Sequence, residues 1–312
     1  MGTTVKRIFE PHGILPAIIT PIDDRNRFHP GAFERLVKRL YEAHVDGLYV
    51  CGQTGEGLQQ PLAQRQEVAE AAVRLSPPGK SVIIHVGAAS TEEAIALARH
   101  ASEIGAHAIS SLPPIGNYSF EEIRGFYQAL ASASGIPLLI YYFPSLAPAI
   151  RTIDQILELC RIPNVAGLKF TDSDLFRLWA IRQTGALVFN GSDEMLAAGL
   201  LMGANGGIGS IYNLVPEHFV TLYKHAATGR WEEARMEQGR INRFIQVMLQ
   251  FPVNPAVKAI LKWSGIDCGT CLLPRRPLTA AEERQLRSQI EETDLGRELF
   301  ARRDGDPLTR KR

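Results

Sequence analysis

A (β/α)8 barrel with a C-terminal helical extension is the fold class this sequence predicts, and three observations carry the prediction. Short apolar, β-branched runs alternate with longer amphipathic ones along the 312 residues, and run length separates strand from helix. Eight such runs fall before residue 230, each followed by a helix; eight βα units close a barrel, which uses about 250 residues before decoration. The runs are apolar almost without interruption, as in Val82-Ile-Ile-His-Val86 and Leu138-Leu-Ile-Tyr-Tyr142, the pattern of parallel strands covered on both faces.

In chain order, the first strand is expected at residues 14–19 and the first helix at 31–43. The turn between them, residues 20–24, holds no glycine-rich phosphate loop, which disfavours the alternative of a doubly wound open sheet. A strand at 47–50 runs into a glycine-rich loop and a helix at 62–75. The strands at 82–86, 106–110 and 137–142 lead into helices at 92–104, 120–133 and 153–160. Each of these helices opens on capping-box spacing: Ser90 with Glu93, Ser119 with Glu122, Thr152 with Gln155. In that box each side chain satisfies an orphan amide of the first turn. Strands at 165–169 and 187–190 are followed by helices at 174–182 and 195–202, and the eighth strand is 206–209. Helical patterns at 231–249, 255–263 and 280–300 then form the extension. The division expected is a barrel over 1–230, an extension over 231–300 and a charged, fraying tail over 301–312.

Composition narrows the function. Thirty-four Lys and Arg against thirty-three Asp and Glu give a net charge of +1, too balanced for an electrostatic nucleic-acid binder. At 45% hydrophobic and 21% charged residues the chain reads as globular. The most apolar run, 135–150, is cut by Pro137, Pro144 and Pro148 and is shorter than the ~20 residues of a membrane span. Residues 1–10 carry no apolar h-region, and four cysteines are too few for a disulfide scaffold at this length. A soluble, reduced, cytoplasmic protein is expected, whose partners are a small molecule and other subunits. Cys268-Gly-Thr-Cys271 is the one CxxC; it lacks the second pair of a metal site and the strand and helix of a redox motif.

Chemistry on a barrel sits where strands end. Of eight lysines only Lys169 closes an apolar strand. Partial desolvation there favours the neutral, nucleophilic amine and suits Schiff-base chemistry with a ketone; a lysine snorkelling into water is the plain alternative. Tyr141 and Tyr142 end the fifth strand. A phenol beside a lysine can relay protons, its pKa falling when a cation is near, or it can simply fill the core. Gly52-Gln53-Thr54-Gly55-Glu56-Gly57 allows a tight turn whose amides and Thr54 hydroxyl converge on a small anion, although glycine loops are common. Asp193 and Glu194 after the seventh strand bind polyol hydroxyls or form an acidic first turn. Ser210 follows the eighth strand at the rim.

Together these segments resemble the class I, Schiff-base pyruvate aldolases of the dihydrodipicolinate synthase/N-acetylneuraminate lyase family. The likeness covers about residues 12–280 and rests on the Gly52 loop, Tyr141-x-x-Pro144, Gly167-Leu-Lys169 and Gly203-Ala-Asn-Gly-Gly-Ile-Gly-Ser210. Gly55-Glu-Gly57, Gly167-Leu-Lys-Phe-Thr171-Asp and Asn190-Gly-Ser-Asp-Glu194 are similar to the lyase branch in particular. The synthase branch places an arginine two residues after the YxxP proline; here that position is Leu146.

The resemblance implies that Lys169 forms the imine with the C2 ketone, that Tyr141 takes the C4 hydroxyl proton as C3–C4 breaks, and that Thr54 with its loop, including Gln53, holds the carboxylate. It also implies that Thr171, Gly191, Asp193, Glu194 and Ser210 contact the sugar chain, Asp193 and Glu194 far enough from the cleaved bond to leave pyruvate binding untouched. No metal or organic cofactor is implied, and the usual assembly is a homotetramer. Two positions depart from the pattern. Gln53 stands where a Ser or Thr passes protons to the tyrosine, and an amide cannot shuttle as a hydroxyl does. After the fourth strand, where many members carry a tyrosine that completes the relay from a neighbouring subunit, only the late Tyr118 is present. The activity implied is cleavage of N-acetylneuraminate to pyruvate and N-acetylmannosamine. An aldolase or dehydratase of another 2-keto-3-deoxy sugar acid, or a weakly catalytic keto-acid-binding protein, are the alternatives.

Overall fold

A computed structural model describes the backbone of residues 10–304 and the side chains of residues 10–301. Eight parallel strands follow the order β1-β8-β7-β6-β5-β4-β3-β2: β1 (Gly13–Pro16), β2 (Gly47–Val50), β3 (Ser81–His85), β4 (Ala108–Ser111), β5 (Leu138–Tyr142), β6 (Val165–Phe170), β7 (Leu187–Asn190) and β8 (Gly206–Gly209). A parallel bridge from Ala17 to Tyr49 joins the β1 edge to β2 and closes the ring. The expected strands are therefore found, displaced by one to three residues at some ends. The first is shortest of its expected span because the Ile18 amide turns to the Tyr49 carbonyl and the Ile19 amide to the Asn213 side chain.

Helices α1 (Pro30–Glu42), α2 (Leu62–Leu75), α3 (Thr91–Glu103), α4 (Phe120–Ser134), α5 (Ile153–Cys160), α6 (Leu175–Arg182) and α7 (Leu196–Leu201) alternate with the strands. Ser119 and Thr152 form complete capping boxes. Ser90 accepts from the Glu93 amide. The eighth barrel helix, which periodicity did not delimit, is α8 (Pro216–Ala227), with proline in its first turn. Four helices follow: α9 (Trp231–Met248), α10 (Val253–Trp263), α11 (Ala280–Glu292) and α12 (Asp294–Asp304). The single helix expected over 280–300 is thus two. Thr293 adopts an extended conformation (φ −82°, ψ 150°) between them, and its hydroxyl accepts from the Gly296 amide at 3.0 Å. Helix α9 packs against α7, α8, α11 and α12. Residues 305–312 of the expected tail lie outside the described residues. Among the described residues no single helix is long and apolar enough to cross a membrane.

Strand side chains alternate between two cores, and this alternation positions the chemistry. Ile14, Leu48, Leu138, Ile140, Tyr142, Leu168 and Phe170 point outward into the layer under the helices. Leu15, Tyr49, Ile83, Leu139, Tyr141, Phe189 and Ile208 fill the barrel interior. Parity therefore turns Tyr141 inward and Tyr142 outward. Lys169 pairs with Tyr141 across β5 and β6 and shares its inward direction. Cys268 and Cys271 are buried free thiols, each pushed up to about 12 chiefly by burial, which keeps them protonated and unreactive at neutral pH.

Candidate active site

At the C-terminal ends of the strands lies a cleft of about 670 Å³. Gln53, Thr54, Tyr141, Lys169, Thr171, Gly191, Asp193, Glu194 and Ser210 all line it. A hollow of similar size, about 700 Å³, opens beneath the strand starts beside Asp46, Lys80 and His107. None of the residues singled out above lines it, and barrel enzymes react at the opposite rim.

Lys169 is 4% exposed. Its Nζ lies 4.1 Å from the centroid of the Tyr141 ring and 4.5 Å from that of Tyr49, so two aromatic faces receive the head group. Burial lowers its pKa to about 7, opposed by the negative charge of Asp193. An amine poised there is partly neutral without added base.

Tyr141 differs from expectation. Its pKa is raised, not lowered, because burial outweighs the interaction with Thr171, and the charge of Asp193 pushes in the same direction as burial. At neutral pH the phenol keeps its proton. The Thr171 hydroxyl approaches the phenol and favours its ionised form, but it lies outside full hydrogen-bond geometry and has no other partner. Gly191 makes room for it: a Cβ at that position would sit 2.0 Å from Thr171 Oγ1. Tyr142 is held away, its hydroxyl accepting from Arg177 on the outer face. His85, near Tyr141 in the interior, is kept neutral by burial and accepts the Leu112 amide through Nε2, a core histidine.

Asp193 also departs from expectation. Its carboxylate is 7% exposed and turned into the barrel, with Oδ2 accepting from the Ile211 amide at 2.8 Å. Oδ1 is buried without a partner against Gly209, where a Cβ would come within 1.8 Å of it. Burial raises its pKa to about 7, with Glu194 adding to the rise and Lys169 and the Ile211 amide opposing it. Lys169 and Asp193 thus feel one another's charge, and the expected remoteness of Asp193 from the reacting end is overturned. Asp193 and Glu194 do stand in the acidic first turn of a short 3₁₀ helix, Asp193–Met195, and the Asp193 carboxylate also serves the loop after β8. Glu194 next to it is exposed.

Thr54 is 4% exposed, and its Oγ1 lies 2.6 Å from Ser210 Oγ. The loops after β2 and β8 therefore meet at one point. The extension holds both this loop and the one after β7. From α10, Asn254 Nδ2 donates to the carbonyls of Gln53 and Thr54, each at 3.2 Å. From α9, Gln238 donates to the Asp193 carbonyl and Asn242 to that of Glu194. Glu56, in a left-handed conformation (φ 54°) and fully buried, is fixed by Lys258 Nζ at 2.8 Å and by the Leu272 amide at 2.6 Å. Losing one partner of such a buried pair costs about 3–5 kcal/mol.

Sequence reasoning missed Tyr49, Asn254, Glu56 with Lys258, and Arg275, which also lines the cleft. Only Tyr49 carried a signal, standing inward by parity two residues before the loop. Tyr118 is 41% exposed and lies outside the cleft, in a separate hollow beside Arg151.

Comparison with known proteins agrees with this architecture. Residues 10–293 match the dihydrodipicolinate synthetase family. N-acetylneuraminate lyase of Rhizobium meliloti is 36% identical over 294 residues, covering 93% of this chain and 98% of the relative. That of Citrobacter koseri is 35% identical over 278 residues, covering 88% and 93%. Among solved structures, the Ruminococcus gnavus sialic acid aldolase superposes with a TM-score of 0.87 at 27% identity, over 95% of this chain and 99% of its own. Since the match runs from β1 to the end of α11 and takes in both the barrel and most of the extension, this chain belongs to the dihydrodipicolinate synthetase family.

Proposed function

We propose that this protein is a Schiff-base-forming lyase that cleaves N-acetylneuraminate to pyruvate and N-acetylmannosamine. The observation that carries the reading is the inward, desolvated Lys169 in register with Tyr141 at the strand ends. The names of its relatives support the substrate. Leu146 in the cleft wall supports a lyase over a synthase. A homotetramer is the assembly the family resemblance implies.

In this reading the neutral Lys169 amine adds to the C2 ketone of the open-chain acid and loses water to give a protonated imine. That imine is the electron sink. The C4 hydroxyl gives up its proton, C3–C4 breaks, and the bonding pair enters an enamine while the aldehyde departs. Protonation at C3 and hydrolysis then release pyruvate and restore the amine. Tyr141, which keeps its own proton at neutral pH, cannot act as a standing base. It passes its proton on as it accepts one, with the Thr171 hydroxyl nearby. Asp193, poised near 7, is the group in the wall able to hold a proton. Thr54 and its loop anchor the carboxylate, which orients the breaking bond.

A second reading, an aldolase or dehydratase of another 2-keto-3-deoxy sugar acid, draws on Gln53, which cannot shuttle a proton as a hydroxyl does, and on the late place of Tyr118 in its loop. A panel of such acids coupled to pyruvate detection separates the two. The highest kcat/KM is expected with N-acetylneuraminate; faster turnover of a different acid, or none of any, would overturn the assignment.

The Lys169–Asp193 coupling makes a further prediction. Asp193→Asn removes the negative charge that lifts the lysine's pKa, so the neutral amine should appear at lower pH. The midpoint of the pH profile for borohydride trapping with pyruvate should move to the acid side of about 7. An unmoved or alkaline-shifted midpoint would mean that the two groups do not communicate.

A further inference from the structure

The cleft wall contains two cationic side chains, Lys169 and Arg275, and nothing so far uses the second. Arg275 stands in the segment between α10 and α11. It is half-buried, with Nε buried and unpartnered. Its Nη2 reaches Gln53 Oε1 at 3.5 Å, long for a hydrogen bond and easily exchanged for a better acceptor. No ion pair engages it among the described residues. The adjacent Arg276, by contrast, is neutralised by a two-pronged contact with Glu282 at 2.7 and 2.8 Å.

The position of this guanidinium is set from behind. The Arg275 amide donates to the Leu272 carbonyl at 3.1 Å, and the Leu272 amide to Glu56 Oε2. Glu56 belongs to the loop that carries Thr54, so one clip ties the arginine to the loop proposed to hold the substrate carboxylate. Gln53, whose side chain it reaches, is Thr54's neighbour. Across the ring the loops after β6 and β7 present Asp172 and Glu194, with β6 four strands away from β2. A second anionic group on the substrate would meet carboxylates there. The cleft is therefore suited to a molecule with one carboxylate at the Thr54 end and a neutral, hydroxyl-rich chain at the other.

We propose that Arg275 is a specificity-determining residue that holds the carboxylate of the 2-keto acid from the Gln53 side, exchanging its weak contact with Gln53 for that anion. The inference rests on the imine-forming reading above and adds the group that selects an acid over an uncharged ketone. A guanidinium is matched to a carboxylate in shape as well as charge.

The test is the concentration dependence of borohydride trapping on the full chain, with pyruvate and with hydroxyacetone, an uncharged ketone of similar size. Arg275→Ala is expected to raise the half-saturating pyruvate concentration by about tenfold or more, as for loss of a charge-assisted bond. The hydroxyacetone curve should not move. Arg275→Lys, which keeps the charge but loses the fork, should show a smaller rise. Added salt should weaken pyruvate trapping more in the wild type than in Arg275→Ala. Should the alanine variant fail to fold, Arg275→Gln supplies the uncharged comparison. A pyruvate curve superimposable on wild type would overturn the proposal. So would equal weakening of both ketones, which would make Arg275 a prop for the loop. Absence of trapping on Lys169 in the wild type would sink the parent reading itself, an outcome distinct from both.

Discussion

Lys169→Ala should form no borohydride-stable adduct with pyruvate and should release no measurable pyruvate from N-acetylneuraminate. Removing a covalent nucleophile typically lowers turnover by on the order of 10⁴–10⁶-fold, and among the described residues no other lysine is placed to substitute. Lys258 is as buried as Lys169 but is committed to Glu56 at 2.8 Å and the Thr270 carbonyl at 2.6 Å. Lys262 is exposed and paired with Asp267 at 3.2 Å. Two aromatic faces and one coupled carboxylate surround Lys169 and favour its cation, but burial outweighs them and favours the free amine. With its pKa near 7 about half of it is neutral at pH 7, against roughly one part in 2,500 for an ordinary lysine. The sign follows directly: trapping at limiting pyruvate should fall as pH drops below 7 and level off above it. Mass spectrometry of the reduced adduct checks the site. An adduct on Lys258 or Lys262 would mean that the strand register, and with it the whole assignment of the cleft, is wrong.

The barrel was legible because each strand is short, apolar and bounded, and because inward and outward side chains alternate with period two. That alternation separates Tyr141 from Tyr142, a distinction adjacency in sequence leaves open. The α8 helix was harder to delimit, since it follows a short 3₁₀ turn at Ile211–Asn213 and opens on a proline. The break at Thr293 was passed over because helix formers crowd both sides of it, although Thr293 and Gly296 together could have marked a helix start there. In the site, residues at strand ends could be named, since position alone exposes them. Asn254 and Arg275 could not, because they reach the cleft from the extension, about two hundred residues after the loop they touch. Asp193 was named as an acidic turn, which it forms, or as a sugar contact; its coupling to Lys169 was not legible. Only the fold reveals that Gly209 leaves the space into which its carboxylate turns, placing it where Lys169 feels its charge. Burial was the other blind spot. A cation beside a phenol lowers its pKa in water, but in this interior desolvation prevails and Tyr141 moves the other way.

Tyr141→Phe should preserve the imine and lose the cleavage. The ring stays, so Lys169 keeps the aromatic face 4.1 Å from its head group and pyruvate trapping should persist within a few-fold. The hydroxyl goes, and with it the group that takes the C4 proton while surrendering its own. Positioned proton carriers contribute about 10²–10⁴-fold, and a fall in kcat within that range is expected. Two features of this cleft sharpen the test. Tyr142 cannot stand in, because it points to the outer core and its hydroxyl is engaged by Arg177. Gln53 cannot stand in either, since an amide does not relay a proton as a hydroxyl does. If kcat falls by less than about tenfold, the proton leaves C4 by another route. Asp193 is then the group to examine, because it has a buried free oxygen and a pKa near 7. The double variant Tyr141→Phe with Asp193→Asn decides the matter: a loss much greater than either change alone would place the two groups on parallel routes. A loss no greater than that of Tyr141→Phe alone would place them on the same one.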